Sequence, residues 1–330
     1  MNIPGFVDLQ VNGYLNVSFS NLSLSPGEFR RVARALLAHG TAAFLPTVVT
    51  SPVEVYRRNL PLIAAAMKEE EFRGRILGIH LEGPFISPEP GAVGAHNPEW
   101  VQAPSEALFD DMMVWSEGSV KFLTIAAEAP GAESLARRAA KRGVTVSVGH
   151  SLWTEDSLGR MAAAGATVIT HLGNGLPNLL PRHPNPIWTG IADDRFTAMI
   201  ITDGHHLPAA VVKTILRAKG VARTVVTSDA SSLAGMPPGR YHGRENLVVL
   251  EPNGRLHHPE KGCLAGSSFT LLRCMNYLAS LGILGEADLV RVGFENPLRL
   301  IGLASKDVPA GGGVTFDGKS FRVAAGAERS

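Results

Sequence analysis

Cysteine is almost absent from this sequence, and so is any excess of charge. Only Cys263 and Cys274 occur, without a CxxC pair, which argues against a disulfide framework and a cysteine-rich zinc site. The 31 basic and 30 acidic residues leave a formal net charge of +1. Such a chain has no global field that would favour nucleic acid, an anionic membrane or an acidic protein partner. We expect two reduced thiols and a cytoplasmic protein.

Long hydrophobic runs are absent as well. No stretch approaches the roughly 18 to 20 uninterrupted apolar residues of a membrane span. The N-terminal MNIPGFVDLQ has neither the charged region nor the apolar region of a secretion signal. With 45% hydrophobic content over 330 residues, the chain can bury one large core or two ordinary ones. The sequence therefore predicts a soluble protein large enough to be an enzyme.

Eight short apolar runs rich in β-branched residues recur along the chain and predict buried strands. They are Gly5 to Asn12, Ala42 to Val49, Ile76 to Glu82, Val120 to Ala126, Val144 to His150, Ala166 to His171, Thr197 to Asp203 and Arg223 to Asp229. Amphipathic helical patterns lie between them, at Pro26 to His39, Pro52 to Glu70, Ala132 to Arg142, Glu155 to Ala164 and Pro208 to Lys219. Eight alternating units close naturally into an α/β fold of the (β/α)8 TIM-barrel type. A doubly wound open sheet is the rival architecture.

The chain beyond the eighth strand carries different signals. The turn Asn253-Gly254 suits a tight connection between strands and predicts a hairpin over residues 245–258. An apolar helix is predicted from Ser267 to Leu281. We expect residues 1–306 to form the barrel with this hairpin, and residues 307–330 to form a polar, glycine-rich tail with a vestigial β segment.

Polar residues close the proposed strands where a barrel would have its mouth: Asp8, Gln10, Glu82, His150, His171, Asp203 and Asp229. Two imidazoles and a carboxylate suit zinc or a similar divalent ion with an open position for water. Either histidine alone could equally be hydrogen-bonded to backbone. A carboxylate such as Glu82 is costly to bury without a partner or an ion. Glu82, His150 and His171 together therefore predict a metal site.

Other polar residues have simpler interpretations. His80 is predicted to be structural, whereas His257 and His258 are predicted to be solvated. Asp8 could be a ligand, a base or a structural carboxylate. The amides of Gln10 and Asn12 are poor zinc ligands, so we expect them to order water or substrate.

Nine short motifs, taken in order, resemble the N-acetylglucosamine-6-phosphate deacetylase family, a branch of the amidohydrolase superfamily. The likeness runs from Pro4 to about Leu303. The motifs are PGFVDLQVNG, GIHLEGPFISP, GAHNPE, VGHS, THLGN, TDGHH, TSDAS, GCLAGS and ENPLRLIGL. Each motif alone is weak evidence, but the ordered set is strong.

The resemblance implies metal-dependent hydrolysis of the N-acetyl amide of an amino sugar. The first-choice substrate is N-acetylglucosamine 6-phosphate, which would give glucosamine 6-phosphate and acetate. It also implies that the three predicted ligands bind a catalytic ion, zinc by first choice and iron by second. Asp229 matches the general base and acid, and His96 in GAHNPE matches the histidine that polarises the acetyl carbonyl. Because Gln10 and Asn12 stand where many members have His-X-His, we expect one ion rather than two.

The resemblance also suggests how the sugar phosphate is held. Asn174 matches the family's asparagine after the second histidine ligand, and Gly175 follows it with a backbone amide. Arg182 and His206 stand at the spacing of the phosphate-contacting arginine and histidine. The stretch LPNLLPRHPNPIWTG departs from the family pattern. Family members commonly form dimers in which a neighbour contributes to this site, so a homodimer is expected.

Two hypotheses compete with this interpretation. The chain could hydrolyse a different acylated amine or a cyclic amide, since the loop after His171 is altered. It could instead be a catalytically idle sugar-binding barrel, although a base beside three metal ligands argues against that. The short N-terminal segment and tail further suggest that the family's small β-sandwich domain is missing or vestigial.

Overall fold

An eight-stranded parallel sheet forms the centre of the computed structural model, which describes residues 2–242, 247–310 and 313–324. Labelled β1 to β8 in chain order, its strands are Phe6–Val11, Thr41–Val49, Ile79–Glu82, Val120–Ile125, Thr145–Val148, Ala166–Ile169, Thr197–Ile201 and Thr224–Thr227. Each strand pairs with the next, and a parallel bridge between Val11 and Ala230 closes the circle. The predicted (β/α)8 barrel is confirmed, and the open sheet is wrong.

Helices follow the strands around the outside. Labelled α1 to α8, they are Pro26–Ala38, Val53–Met67, Glu106–Trp115, Ala132–Lys141, Glu155–Ala163, Pro186–Ala192, Ala209–Lys219 and Leu271–Ser280. Two short helices, Glu286–Val290 and Asn296–Leu300, flank a π-helical turn at Arg291–Glu295. No helix in the described part of the chain is both long and apolar enough to cross a membrane.

Helix starts carry their own sequence signals. Ser25 caps α1 and Glu28 reciprocates, which satisfies two backbone N–H groups at once. Thr154 and Ser157 do the same for α5. Caps of this kind begin each helix at a definite residue, and so they fix where the preceding loop ends.

The interior of the barrel contains polar side chains that bind one another. His80 is buried, with Nδ1 at 3.0 Å from the Leu9 carbonyl oxygen and Nε2 at 2.9 Å from Thr124 Oγ1, so its role is structural as predicted. Asp8 accepts hydrogen bonds from Thr227 and Ser228. This carboxylate therefore ties β1 to β8 and is not directed at the mouth.

A second, antiparallel sheet follows β8, and we name it the outer sheet. Its strands are Gly239–His242, Leu247–Leu250, Leu256–His258 and Cys263–Leu264. The central pair forms the predicted hairpin around Asn253-Gly254. Its predicted start at Glu245 lies outside the described residues.

The helix predicted from Ser267 to Leu281 begins only at Leu271, which is a correction. Ser267 instead pairs with Ala230 in a parallel bridge, donates its N–H to the Asp229 carbonyl and accepts the Ser231 N–H. These backbone bonds keep the segment extended beside the mouth. A helix could not make them, because its backbone groups bond within the helix.

The C-terminal tail pairs with the start of the chain. Asn2–Ile3, Val314–Phe316 and Phe321–Val323 form a three-stranded antiparallel sheet. Residues 311, 312 and 325–330 of the predicted tail lie outside the described part, and a domain boundary at residue 306 stays a prediction.

Candidate active site

Four of the residues predicted from the strand ends meet at one end of the barrel. Glu82 is the last residue of β3, and His150, His171 and Asp229 each follow a strand end by two positions. All four line a cavity of about 690 Å³. Parallel strands bring their carboxyl ends to the same face, so residues far apart in sequence become neighbours.

Glu82, His150 and His171 form a compact cluster of potential metal ligands. Their ligand atoms lie within 4.8 Å of one another. Glu82 Oε1 is 3.0 Å from His171 Nε2 and 3.3 Å from His150 Nε2, and the two ring nitrogens are 3.1 Å apart. Ligands at the ~2.0–2.1 Å bond lengths of tetrahedral zinc are separated by roughly 3.3 Å, so the cluster fits such an ion.

The electrostatics of the cluster agree with a cation-binding role. Burial opposes ionisation of Glu82, but hydrogen bonds from His150 and His171 outweigh it and hold the pKa of its carboxyl well below the usual range. Burial lowers the pKa of His171. Burial also opposes the charged form of His150, but the hydrogen bond to Glu82 and the charge of Glu82 outweigh it and raise the pKa of His150. The carboxylate form of Glu82 is the one that binds a cation.

Backbone conformation marks the same site. His150, His171 and Asp229 have φ angles of 47°, 31° and 50°, in the region that residues with side chains seldom adopt. Each residue makes a sharp turn at the end of its strand and presents its side chain to the cavity. Strain of this kind clusters at functional sites, where the surrounding structure enforces it.

Asp229 is held by the two amides that sequence analysis assigned to water or substrate. Gln10 Nε2 donates to Asp229 Oδ1 at 3.0 Å and to Glu82 Oε1 at 2.7 Å, and Asn12 Nδ2 donates to Asp229 Oδ1 at 2.7 Å. Burial, and next the charge of Glu82, raises the pKa of Asp229 to about 7. A carboxyl poised near neutral pH can both accept and return a proton.

His96 reaches the cluster from the segment after β3. Its Nε2 is 3.2 Å from His150 Nε2 and 4.0 Å from Glu82 Oε2. Burial, with the neighbouring His150 second, lowers the pKa of His96 to about 3. The ring is therefore neutral at physiological pH and keeps one N–H for a hydrogen bond to a ligand.

His206 lines the cavity together with an ion-pair partner. Its Nδ1 lies 2.7 Å from Asp203 Oδ2, at the end of β7. Burial opposes the charge of His206, but the bond to Asp203 outweighs it and raises the pKa of the imidazole. The ion pair favours the protonated form of the ring, which is a cationic donor near the cluster that suits an anionic or hydroxyl group.

The other predicted substrate residues lie in the loop after β6, and two of the three line the cavity. Asn174 lines the cavity and donates its side-chain amide to the His171 carbonyl. Gly175 also lines it, and a Cβ there would lie 2.9 Å from His150 Nδ1. Arg182 is exposed and is not among the lining residues, so the structure does not bring it to this cavity. Its phosphate role stays a prediction.

Sequence analysis missed the wall that the outer sheet contributes. His242, Arg255, His258 and Lys261 line the cavity on this side. His257 and His258, both predicted to be solvated, are only partly exposed: His257 Nε2 lies 3.1 Å from Glu251 Oε1 and His258 Nδ1 lies 3.3 Å from the Leu247 carbonyl oxygen. The hairpin signal placed these residues on a sheet, but nothing in it indicated that the sheet folds back over the mouth.

Known proteins with sequences similar to this chain are deacetylases named for N-acetylated amino-sugar phosphates. No protein-family model matches the chain. N-acetylglucosamine-6-phosphate deacetylase of Danio rerio is 33% identical over 317 residues, covering 92% of this chain and 76% of that protein. N-acetylgalactosamine-6-phosphate deacetylase of Escherichia coli O157:H7 is 29% identical, covering 91% of this chain and 78% of that protein.

A solved structure shares the architecture along nearly the whole chain. It is a mutant of N-acetyl-D-glucosamine-6-phosphate deacetylase from Mycobacterium smegmatis in complex with N-acetyl-D-glucosamine-6-phosphate. The match has a TM-score of 0.85 and 27% sequence identity, and it covers 98% of this chain and 87% of that chain. The fold, the strand-end cluster and these relatives agree, and the chain belongs to the N-acetylglucosamine-6-phosphate deacetylase family.

Proposed function

We propose that this protein hydrolyses the N-acetyl amide of N-acetylglucosamine 6-phosphate to give glucosamine 6-phosphate and acetate. The observation that carries the proposal is Asp229, a buried carboxyl with a pKa of about 7 beside the Glu82, His150 and His171 cluster. The names of the curated relatives support the substrate class. A binding module would have no need of a proton acceptor at this position.

The donor set supports one divalent ion, with zinc as first choice and iron as second. Glu82, His150 and His171 would hold it, and the short separations of their ligand atoms fit. When bound, such an ion lowers the pKa of water and polarises a carbonyl oxygen. The amides of Gln10 and Asn12 are occupied by the carboxylates, which supports one ion rather than two.

Side chains around the cluster would carry out proton transfer and stabilise the acetyl oxygen. Asp229 Oδ1 accepts both amide hydrogen bonds, which leaves Oδ2 to take the proton of the attacking water and return it to the amine nitrogen. The neutral His96 donates its N–H to the acetyl oxygen as negative charge develops there. The C–N bond then breaks as the nitrogen is protonated.

The first test combines metal analysis with acetate release. Purified protein should contain about one divalent ion per chain. It should release acetate from N-acetylglucosamine 6-phosphate faster than from unphosphorylated N-acetylglucosamine. The panel includes N-acetylgalactosamine 6-phosphate, because a relative is named for that epimer. Metal without acetate release from any of the three would overturn the proposal and direct the search to other amides.

Asp229→Asn isolates the assigned base. The amide keeps the shape of the side chain but cannot accept the proton, so turnover should fall at least 1,000-fold while metal content stays near the wild-type value. Asp194→Asn is the matched control, because Asp194 forms an exposed ion pair with Arg223. Retained activity in Asp229→Asn would contradict the role.

We propose further that the active form is a homodimer in the cytoplasm, with Arg182 of one copy reaching the phosphate in the other. The exposure of Arg182, and of Leu179 and Trp188 near it in sequence, supports this placement. The two free cysteines are compatible with a reducing compartment.

Mixed dimers test the contribution from a second copy. Arg182→Ala should raise KM for the phosphorylated sugar and leave the plain sugar unaffected. Mixing Arg182→Ala with Asp229→Asn in equal amounts and allowing subunit exchange should restore about a quarter of the activity, because about half of the dimers are then mixed and each mixed dimer contains one intact site of two. A monomer in sedimentation, or an equal loss on both sugars, would refute the arrangement.

A further inference from the structure

The segment that carries His96 is long and irregular. Residues 85–97 contain no helix or strand, yet the His96 side chain is only 9% exposed and lies beside the cluster. Its inner half is tied to the barrel, since Ser87 N donates to the His150 carbonyl and His150 Nδ1 lies 2.8 Å from the Ala92 carbonyl oxygen. These bonds precede His96 in sequence, and at the His96 end of the segment the His96 N–H donates to the Val93 carbonyl oxygen.

Lys261 of the outer sheet contacts that end. Its Nζ donates to the carbonyl oxygens of Ala95 and His96, each at 3.2 Å. Hydrogen bonds from an ammonium group are stronger than those between neutral groups. The charge of Lys261 therefore acts on both carbonyls.

The position of Lys261 is itself well defined. It lies in the turn between the strands Leu256–His258 and Cys263–Leu264, which Gly262 closes by donating its N–H to the His258 carbonyl. Both strands are hydrogen-bonded within the outer sheet. The ammonium group is therefore presented from a short turn that is held between two paired strands.

We propose that Lys261 is a positioning residue that fixes His96 against the substrate acetyl group by clamping the backbone at Ala95 and His96. The proposal rests on the function assigned to His96 above. Lys261 touches only backbone atoms of the segment, so it acts through His96 and contributes no group to the reaction. Misplacement of a catalytic donor by about 1 Å can cost up to about 100-fold in rate, so even a modest relaxation is measurable.

The kinetic test is a double-mutant cycle. Lys261→Met removes the ammonium group and keeps most of the apolar stem, and it should lower kcat about tenfold with KM for N-acetylglucosamine 6-phosphate changed less than about threefold. Lys261→Arg can still reach both carbonyls and should restore most of the rate. In a His96→Asn background, Lys261→Met should have almost no further effect, because both changes remove the same interaction.

Other outcomes overturn the proposal. If Lys261→Met raises KM for the phosphorylated sugar at unchanged kcat, Lys261 binds the phosphate instead. If its effect persists in full in the His96→Asn background, it does not act through His96. No kinetic effect at all would also refute the proposal. Lys319→Met, in an exposed turn of the tail, is the matched control and should behave as wild type.

Hydrogen exchange separates this proposal from the proposed function. In the full-length protein, Lys261→Met should speed amide exchange in residues 89–97 at least fivefold, with no change in the barrel strands or in the Lys319→Met control. If the wild type fails to release acetate, the proposed function fails, and faster exchange still establishes the clamp. Unchanged exchange in residues 89–97 would overturn the clamp whatever the substrate is.

Discussion

The proposed role of Asp229 as the base places two opposing requirements on its carboxyl group. It has to be ionised to accept a proton, and it has to be buried beside the charge of Glu82 to act at the reacting bond. Burial raises its pKa to about 7, whereas the hydrogen bond from Asn12 works in the other direction. Asn12 therefore both positions the base and lowers its pKa, and Gln10 helps to position it.

Asn12→Ala tests this tuning. Loss of the hydrogen bond should raise the pKa of Asp229, since that bond lowers it in the wild type. The base works only when ionised, so the acidic limb of the kcat profile should move to higher pH, with kcat at pH 7 reduced about tenfold. Asn178→Ala, another amide in the cavity wall, is the control. An acidic limb at its wild-type pH would contradict the assignment.

At the scale of elements, the barrel was predictable because its signals are local. Each strand is a short apolar run with a polar residue at its end, and Glu82, His150 and His171 could be assigned from that placement alone. Helix α6 was not predicted, although Asn185 and Pro186 stand at its start as a cap and first residue. The surrounding prolines concealed it.

What could not be predicted depends on contacts between elements. No local pattern shows that Lys261 reaches the carbonyls of Ala95 and His96, 166 and 165 positions away. The positive φ angles of His150 and Asp229 could not be predicted either, because no local sequence pattern indicates such angles at residues other than glycine. The exposure of Arg182 depends on the course of a loop that departs from the family pattern.

The loop after β6 also packs against His150, the predicted metal ligand that follows β5. The variant Gly175→Ala tests whether this contact positions the ring. A Cβ at Gly175 would lie 2.9 Å from His150 Nδ1, at a φ of +62°. The ring has to shift, so we expect about tenfold weaker metal binding by competition with a chelator. Gly282→Ala is the matched control, with a φ of +64° and nothing within 4 Å of the added Cβ. Equal losses in both variants would mean that backbone strain, not the contact, is responsible.

The two ends of the barrel differ in role: one contributes to stability and the other carries the candidate active site. At the start of β1, Phe6 packs edge-on against Phe321 of the tail, with ring centroids 4.9 Å apart. At the opposite end, the buried cluster of Glu82, His150 and His171 brings polar groups together in a low-dielectric site. The tail therefore covers the end of the barrel that lacks the site. An ion that binds at the mouth, at the other end, can add its binding free energy to the stability of the fold.

Metal binding should accordingly stabilise the entire fold. An ion that binds the folded chain alone adds about 2.7 kcal/mol at a free concentration of 100 times Kd, which for a domain of this size raises Tm by about 4 °C. Chelator should lower the Tm of the wild type by that amount, and zinc should restore it. Glu82→Gln keeps the shape of the site but replaces a charged ligand with an amide, so its Tm should respond little to either treatment. The outer-sheet variant Arg255→Met, which changes the cavity wall away from the ligands, should respond as the wild type does. A full zinc response in Glu82→Gln would show that the stabilising ion binds elsewhere, and the assignment of the three ligands would then have to be abandoned.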